Sequence, residues 1–167
     1  MAGPLIVTAE LAPADFAWLD ALRREHYPAE RNRLPAHLTM FHALPPSLEA
    51  EARRWLAVAA SAPAPQAAVA GVMDLGGGVA LRVVSGDLDR IRDELAGSFH
   101  GMLGAQDKGG WRPHVTIQNK VSIREARKLV DALARFMARP IGIRGLGLHR
   151  YLGGPWETLQ TWSFRAS

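Results

Sequence analysis

Hydrophobic positions along the chain follow two spacings, and their order predicts a domain that mixes strands and helices. Alternation with a period of two predicts strands, whereas recurrence every three to four residues predicts helices. Strands are expected at 5–8, 36–42, 66–74, 78–84, 113–120, 141–151 and 156–165, and helices at 13–26, 48–60, 86–99 and 122–138. The polar segment 28–35 and the glycine-rich segment 100–110 are expected to be loops, the second of them mobile.

The most informative pattern is a short phrase that occurs twice. His37-Leu38-Thr39-Met40 is the first motif, and His114-Val115-Thr116-Ile117 is the second motif. Because side chains on a strand alternate between its two faces, each motif should place its histidine and threonine on one face and two apolar side chains on the other. We therefore expect one face to pack against a core and the opposite face to carry chemistry.

The surroundings of the two motifs also match. Each motif follows a proline closely and leads through a strand end to a predicted serine N-cap, Ser47 or Ser122, and an amphipathic helix. The motif histidine and the cap serine are 10 residues apart in the first case and 8 in the second. This repetition predicts two similar strand–helix units that face each other and bring both His-Thr pairs to one cleft.

Two imidazoles and two hydroxyls suit acid–base chemistry at a phosphoryl group. A neutral histidine can take a proton from an attacking hydroxyl or water, and a protonated histidine can give one to a leaving oxygen. Threonine hydroxyls can donate to non-bridging oxygens, and the branched Cβ holds them stiffly. The set indicates metal-independent in-line displacement at a phosphodiester, and it leaves open which histidine is the acid.

The doublet His37-Leu38-Thr39 and His114-Val115-Thr116 resembles the paired His-x-Thr/Ser signature of the 2H phosphoesterase superfamily, which includes bacterial 2′-5′ RNA ligases and 2′,3′-cyclic phosphodiesterases. The resemblance implies an α+β, two-lobed, pseudo-twofold fold with antiparallel sheets lining a central groove and helices outside. It implies hydrolysis of 2′,3′-cyclic phosphate or 2′-5′ phosphodiester bonds in nucleotides or RNA, with no cofactor and with RNA ligation as a reverse reaction. It assigns the two histidines to acid–base catalysis and the two threonines to phosphate oxygens.

Length and composition fit one domain and narrow its class. A chain of 167 residues can form a single bilobal domain over 1–167, and the proline-rich segment 61–65 is the expected lobe boundary. The absence of cysteine excludes disulfides and thiolate ligands. No apolar run approaches the ~18 residues of a membrane span, and the N-terminus lacks the basic region of a signal peptide. We therefore expect a cytoplasmic monomer.

Charge is distributed unevenly along the chain. Residues 1–86 contain 7 Lys/Arg and 8 Asp/Glu, whereas residues 87–167 contain 13 and 8, within a total net charge of +4. A basic half is compatible with a phosphate-bearing partner such as RNA, although a solvated basic surface gives the same pattern.

Several residues near the motifs are candidates for substrate binding. Arg112 lies two residues before the second motif histidine and can neutralise a phosphate. Trp111 can stack on a base, and so can Tyr151 or Trp156 in the last hairpin. The alternative interpretation gives Trp111 a position in the core or at the rim and makes the last hairpin a packed structural element.

The remaining histidines are expected to be structural. His42 lies five residues after His37, so a regular strand would turn it to the opposite face, where it is structural or a hydrogen-bonding group at the rim. His149 is expected to be a polar surface residue. No histidine pair has the i,i+4 spacing of a helical metal site and neither motif contains a carboxylate, so no metal is predicted.

Two functional hypotheses follow. The first is a metal-independent phosphoesterase, and it depends on the doubled motif. The second is a non-catalytic nucleotide- or RNA-binding protein on the same scaffold, and the basic C-terminal half motivates it. A protein that only binds would have little need for both imidazoles, which favours the first hypothesis.

Overall fold

The computed structural model describes residues 2–166, and the order of its elements follows the sequence pattern closely. The strands are β1 (Leu5–Leu11), β2 (Leu38–Leu44), β3 (Gln66–Asp74), β4 (Val79–Val84), β5 (His114–Gln118), β6 (Arg139–Tyr151) and β7 (Trp156–Ser163). The helices are α1 (Pro13–His26), α2 (Glu49–Ala60), α3 (Gly86–Ser98), α4 (Ala105–Lys108) and α5 (Ile123–Ala132), with 3-10 turns at Ala29–Arg31 and Pro46–Leu48.

The structure corrects two details at the ends of helices. Ser122 caps α5 as expected, because its hydroxyl accepts the N–H of Glu125. Ser47 does not cap α2, because Pro46 begins a 3-10 turn that leads directly into the helix and leaves Leu48 at the N-cap position. The helix α5 ends at Ala132 rather than near 138, because Arg139 already pairs with β3 as the first residue of β6.

The glycine-rich segment 100–110 also differs from the expectation. Its residues 105–108 form the short helix α4, and the carboxyl-bearing Asp107 within that helix is buried. The segment is therefore anchored to the rest of the domain by a polar side chain.

All seven strands belong to one sheet in the order β1-β2-β5-β4-β3-β6-β7, and every strand pair is antiparallel. An additional pairing between β1 and β6 closes the sheet into a barrel-like shape. The helices cover the sheet, with α1 against β5, α3 against β3, α2 against β6 and β7, and α5 against β3 and β4. The expected α+β class with antiparallel strands is confirmed.

The chain repeats one arrangement of elements. Apart from the short helix α4 and the two 3-10 turns, the series β1-α1-β2-α2-β3 and the series β4-α3-β5-α5-β6 contain the same elements in the same order. Exchanging the two series maps the closed strand order onto itself, so β2 meets β5 and β3 meets β6. The segment 61–65 connects α2 to β3, which pairs with β4 of the second series. The twofold relation places the two motif strands next to each other.

The apolar face of each motif lies in the core. Leu38, Met40, Val115 and Ile117 are all completely buried, whereas the motif histidines and threonines are half-buried. The predicted division of each motif between a core face and an open face is confirmed. Within residues 2–166, no helix combines the length and the apolar character that crossing a membrane requires.

Candidate active site

The two motifs lie side by side on neighbouring antiparallel strands. Leu38 of β2 is the partner of Val115 of β5, and this is the one residue pair that joins these strands in the sheet. Antiparallel pairing around that point brings each motif histidine next to the threonine of the other motif. The local twofold of the fold therefore passes between the two motifs.

A small pocket opens on the polar face of the two motifs. We call it the motif pocket; it has a cavity volume of about 160 Å³ and is lined by Ile6, His37, Thr39, His42, His114, Thr116 and Trp156. The structure thus brings together the four residues that the sequence assigns to chemistry. A cavity of this size can hold a phosphoryl group and part of its ester substituent.

Both motif histidines are held in the same way. Nδ1 of His37 lies 2.8 Å from the carbonyl oxygen of Pro35, and Nδ1 of His114 lies 2.8 Å from the carbonyl oxygen of Arg112. Because a carbonyl only accepts hydrogen bonds, each ring carries a proton on Nδ1. In the neutral ring Nε2 is then a free acceptor, and it becomes a donor once the ring is protonated.

The main-chain carbonyl of each motif threonine accepts a hydrogen bond from a side chain, and this side chain differs between the two motifs. The indole N–H of Trp111 donates to the carbonyl of Thr39 at 3.1 Å. The guanidinium of the buried Arg23 donates to the carbonyl of Thr116 at 3.0 Å and to the side chain of Asn32 at 2.8 Å. Trp111 packs against the core and does not line the motif pocket, so in this structure it supports the first motif.

The environment of His37 disfavours its charged form. Its ring lies 4.7 Å from the ring of Trp156, measured between centroids, in an edge-on arrangement. Burial is the largest cause that lowers the pKa of His37 to about 4, and the positive charge of Arg23 adds to it against the opposing effect of the Pro35 carbonyl. His37 is therefore a neutral base at neutral pH.

Comparison with known proteins places this geometry in a family. A family model for the 2′-5′ RNA ligase superfamily matches residues 11–155, which include both motifs. The chain belongs to the 2′-5′ RNA ligase superfamily. This membership confirms the resemblance to 2H phosphoesterases that the two motifs indicate, and it places the chain among phosphoesterases and RNA ligase-like enzymes.

Solved structures share the fold of this superfamily member at low sequence identity. TT0787 of Thermus thermophilus has a TM-score of 0.68 and 17% identity, with 98% of this chain and 99% of that chain covered. LigT of E. coli, in a crystal structure with 3′-AMP, has a TM-score of 0.62 and 16% identity, with 98% and 99% covered. Among curated proteins, no sequence matches the chain.

In this superfamily member the motif pocket contains a third imidazole that sequence reasoning assigned to the opposite face. Thr8 of β1 is the partner of Thr39, but the preceding Val7 is the partner of Phe41, so β2 contains one extra residue at this point. Such a β-bulge shifts the alternation by one position. Met40 and Phe41 are accordingly both buried, and His42 returns to the face of Thr39. The expectation for a regular strand was wrong for this reason.

A second, larger cavity adjoins the motif pocket at His37 and Trp156. We call it the side pocket; its volume is about 410 Å³. Apolar side chains from β1, α1 and the segment 34–36 form part of its wall, and the polar groups Thr8, Glu10, Arg144, His149 and Thr158 form the rest. Trp156, rather than its strand partner Tyr151, is the aromatic residue of the last hairpin that reaches the site.

The polar groups of the side pocket form a connected chain. The Thr8 hydroxyl donates to Glu10 at 3.1 Å, which requires Nε2–H of His149 to donate to Thr8 at 2.8 Å. Nδ1 of His149 then accepts from the hydroxyl of Thr158 at 3.0 Å. Burial lowers the pKa of His149, in keeping with a neutral ring, and burial raises the pKa of Glu10. His149 is thus a buried network residue and not the surface residue that its sequence context suggests.

Two further candidate residues lie outside both pockets. Arg112 and Tyr151 are exposed, Arg112 beside the second motif and Tyr151 at the end of β6. Within residues 2–166, no group of three or more histidine and acidic side chains is arranged to hold a metal ion.

Proposed function

We propose that the protein is a metal-independent phosphoesterase that hydrolyses 2′,3′-cyclic phosphate or 2′-5′ phosphodiester bonds of nucleotides or RNA. One observation carries the proposal: two histidines with the same Nδ1–H tautomer share one small pocket with two threonine hydroxyls. Membership of a phosphoesterase superfamily supports the same reaction class.

The environment of His37 supports a division of roles between the two histidines. With its pKa lowered to about 4, His37 is neutral and takes a proton from the attacking water. His114 in its protonated form gives a proton to the ester oxygen as the phosphorus–oxygen bond breaks. The reaction converts the cyclic diester and water into a phosphate monoester and a free hydroxyl. The two histidines end in exchanged protonation states, and solvent restores them.

The threonines are placed to hold the phosphoryl group during this transfer. Thr39 and Thr116 line the pocket on the two sides of the local twofold, so their hydroxyls can donate to two different non-bridging oxygens. A donor of this kind stabilises charge that develops in the transition state, and its removal typically costs about 10²–10³-fold in rate.

The side pocket is the place we propose for the nucleoside part of the substrate. Its volume of about 410 Å³ lies within the range of small-molecule sites, and Trp156 offers an aromatic face at the boundary with the motif pocket. LigT, which shares the fold, has been crystallised with 3′-AMP. For a longer RNA, the exposed Arg112 and Tyr151 are the candidates for contacts beyond the pockets.

The same groups can act with a different nucleophile. If a 5′-hydroxyl of RNA replaces water, its attack on a 2′,3′-cyclic phosphate with loss of the 3′-oxygen forms a 2′-5′ linkage. The base takes the proton of the attacking hydroxyl, and the acid protonates the departing 3′-oxygen. RNA ligation is therefore a proposed secondary activity.

The decisive experiment measures turnover of 2′,3′-cyclic nucleotides in the presence of EDTA by wild type, His37→Ala and His114→Ala. We expect turnover by wild type and a loss of about 10²-fold or more in each variant. His100→Ala is the matched control, because His100 is exposed and lines neither pocket. Equal turnover by all four proteins would remove the assigned roles. Tight binding of nucleotides or RNA without turnover would instead support the non-catalytic alternative that the basic half of the chain suggests.

A further inference from the structure

The motif pocket contains a third histidine that the proposed mechanism does not use. We infer that His42 is a phosphate-binding residue, whose Nε2 contacts a non-bridging phosphoryl oxygen while Asp107 holds its Nδ1. This inference rests on the proposed function of the motif pocket and adds an imidazole to the two threonine hydroxyls that hold the phosphate.

The backbone places His42 on the pocket side by a specific irregularity. Between Thr39 and Phe41, the strand β2 advances two residues while β1 advances one. The extra residue brings two consecutive side chains, Met40 and Phe41, into the core. His42 then lines the pocket together with the motif residues. In the second series the corresponding position after the motif is Asn119, which does not line the pocket, so this imidazole is present on one side only.

A buried carboxylate fixes the orientation of the His42 ring. One oxygen of Asp107 accepts the backbone N–H of His42 at 2.8 Å and lies 3.2 Å from its Nδ1, and the other accepts the N–H of Ala43 at 3.0 Å. Burial by itself raises the pKa of Asp107, but these hydrogen bonds outweigh burial and leave its pKa below the ordinary value. An ionised carboxylate requires a proton on Nδ1, so Nε2 is the ring nitrogen available to the pocket.

The main chain at Asp107 is itself held in place by a buried arginine. Arg92 donates through Nε to the carbonyl of Met40 at 2.9 Å and through its terminal nitrogen to the carbonyl of Asp107 at 2.8 Å. Its guanidinium also lies over the ring of Phe41, 4.0 Å from the centroid. The arginine thus ties the bulge of β2 to the helix α4. Because Arg92 holds α4 against β2, Asp107 of the glycine-rich segment lies within hydrogen-bonding distance of His42.

The chemistry of this arrangement suits an anion. An imidazole whose Nδ1–H faces a carboxylate presents its Nε2 edge to the pocket, and binding of a phosphate there favours protonation of Nε2 and a charge-assisted hydrogen bond. Because the contact is made to phosphate before and after the transition state, it should contribute mainly to binding. A purely structural His–Asp pair would hold the bulge but would not contribute to phosphate affinity.

The test measures binding of inorganic phosphate by calorimetry, together with steady-state turnover of a 2′,3′-cyclic nucleotide. We expect His42→Gln to weaken phosphate binding about tenfold and to raise KM by a similar factor with a smaller change in kcat. His100→Gln, a histidine outside both pockets, should leave both quantities unchanged. A folded His42→Gln protein with wild-type phosphate affinity and KM would overturn the inference while leaving the proposed function intact.

A measurement on the wild-type protein covers the case in which the variant does not fold. In a phosphate titration followed by NMR of the imidazole groups, His42 should shift together with the two motif histidines, and His100 should not. Shifts of the motif histidines without His42 would overturn the inference. If wild type neither binds phosphate nor turns over the cyclic substrate, the proposed function fails first, and the role of His42 fails with it.

Discussion

The two motifs share their chemistry and differ in their surroundings. Each histidine donates Nδ1–H to the carbonyl two residues before it, and each is preceded by a proline within two positions. Both threonines lie on the open face, and both motif strands contain an irregularity immediately after the threonine. The proposed function uses the histidines and threonines that these common features position.

The surroundings break the symmetry. On the side of the first motif, Trp156 covers His37, and the side pocket with Glu10 and His149 opens next to it. On the side of the second motif, the strand neighbour of His114 is the exposed Arg82. The repeated part of the chain supplies two histidines in the same backbone setting, which the proposed function uses as acid and base. The part that is not repeated covers His37 and forms the side pocket, where the proposed function places the rest of the substrate.

The largest expected loss of activity follows substitution of either motif histidine, and the choice of substrate distinguishes their proposed roles. His37→Gln and His114→Gln should each reduce kcat on a 2′,3′-cyclic nucleotide by about 10²–10⁴-fold. A p-nitrophenyl phosphodiester has a leaving group that departs without a proton. On that substrate the defect of His114→Gln should shrink, and the defect of His37→Gln should persist. The opposite pattern would exchange the two roles, and equal defects on both substrates would contradict the division.

Substitution of the two threonines tests whether both hydroxyls contribute equally to holding the phosphate oxygens. Thr39→Val and Thr116→Val remove one hydroxyl each with little change of shape, and each should reduce kcat/KM by about 10²-fold because a donor to the phosphoryl group is lost. Thr39→Ser and Thr116→Ser should retain most activity. Thr161→Val, at an exposed position that lines neither pocket, is the control. A large effect at only one motif would show that a single threonine carries the function.

The two supports behind the motifs should differ in their effect on stability. Trp111→Phe removes one hydrogen bond to the first motif and should reduce the free energy of unfolding by about 1 kcal/mol. Arg23→Met deprives both the Thr116 carbonyl and Asn32 of a donor, and it should cost about 2–3 kcal/mol. Urea unfolding measures both changes. If Arg23→Met lowers the free energy of unfolding no more than Trp111→Phe does, the desolvation cost of the buried Arg23 offsets the stabilisation from its hydrogen bonds.

The smallest expected effect is the response of His37 to mild acid. Because its pKa is lowered to about 4, about nine-tenths of His37 stays neutral at pH 5, and kcat/KM should fall less than twofold from this cause between pH 7 and pH 5. The unfolded chain has an ordinary histidine pKa and binds the proton more readily, so this group also reduces stability as pH falls from about 6.5 to about 4. Intrinsic fluorescence at each pH separates unfolding from inhibition. An acid limb of kcat/KM near the ordinary histidine pKa, in protein that is still folded, would remove His37 as the base.

The sequence predicts the parts of the site that depend on local regularity. From the histidine to the threonine each motif alternates regularly, so a period of two was enough to assign Leu38 and Val115 to the core and the histidines to the open face. The position of His42 was predicted on the wrong face, because a bulge is defined only against the partner strand. His149 was missed because its partner Thr8 lies 141 residues away along the chain and its covering residue Trp156 lies on another strand.

The bulge in β2 has a consequence for how such a site can change over time. Whether His42 faces the motif pocket depends on the number of residues between it and Thr39, since Met40 and Phe41 together fill one step of the neighbouring strand. Deletion of Phe41 is expected to turn the imidazole outward while the motif keeps its sequence. The set of side chains that line the motif pocket can therefore change by insertion or deletion as well as by substitution, and a comparison of substitutions alone would not detect such a change.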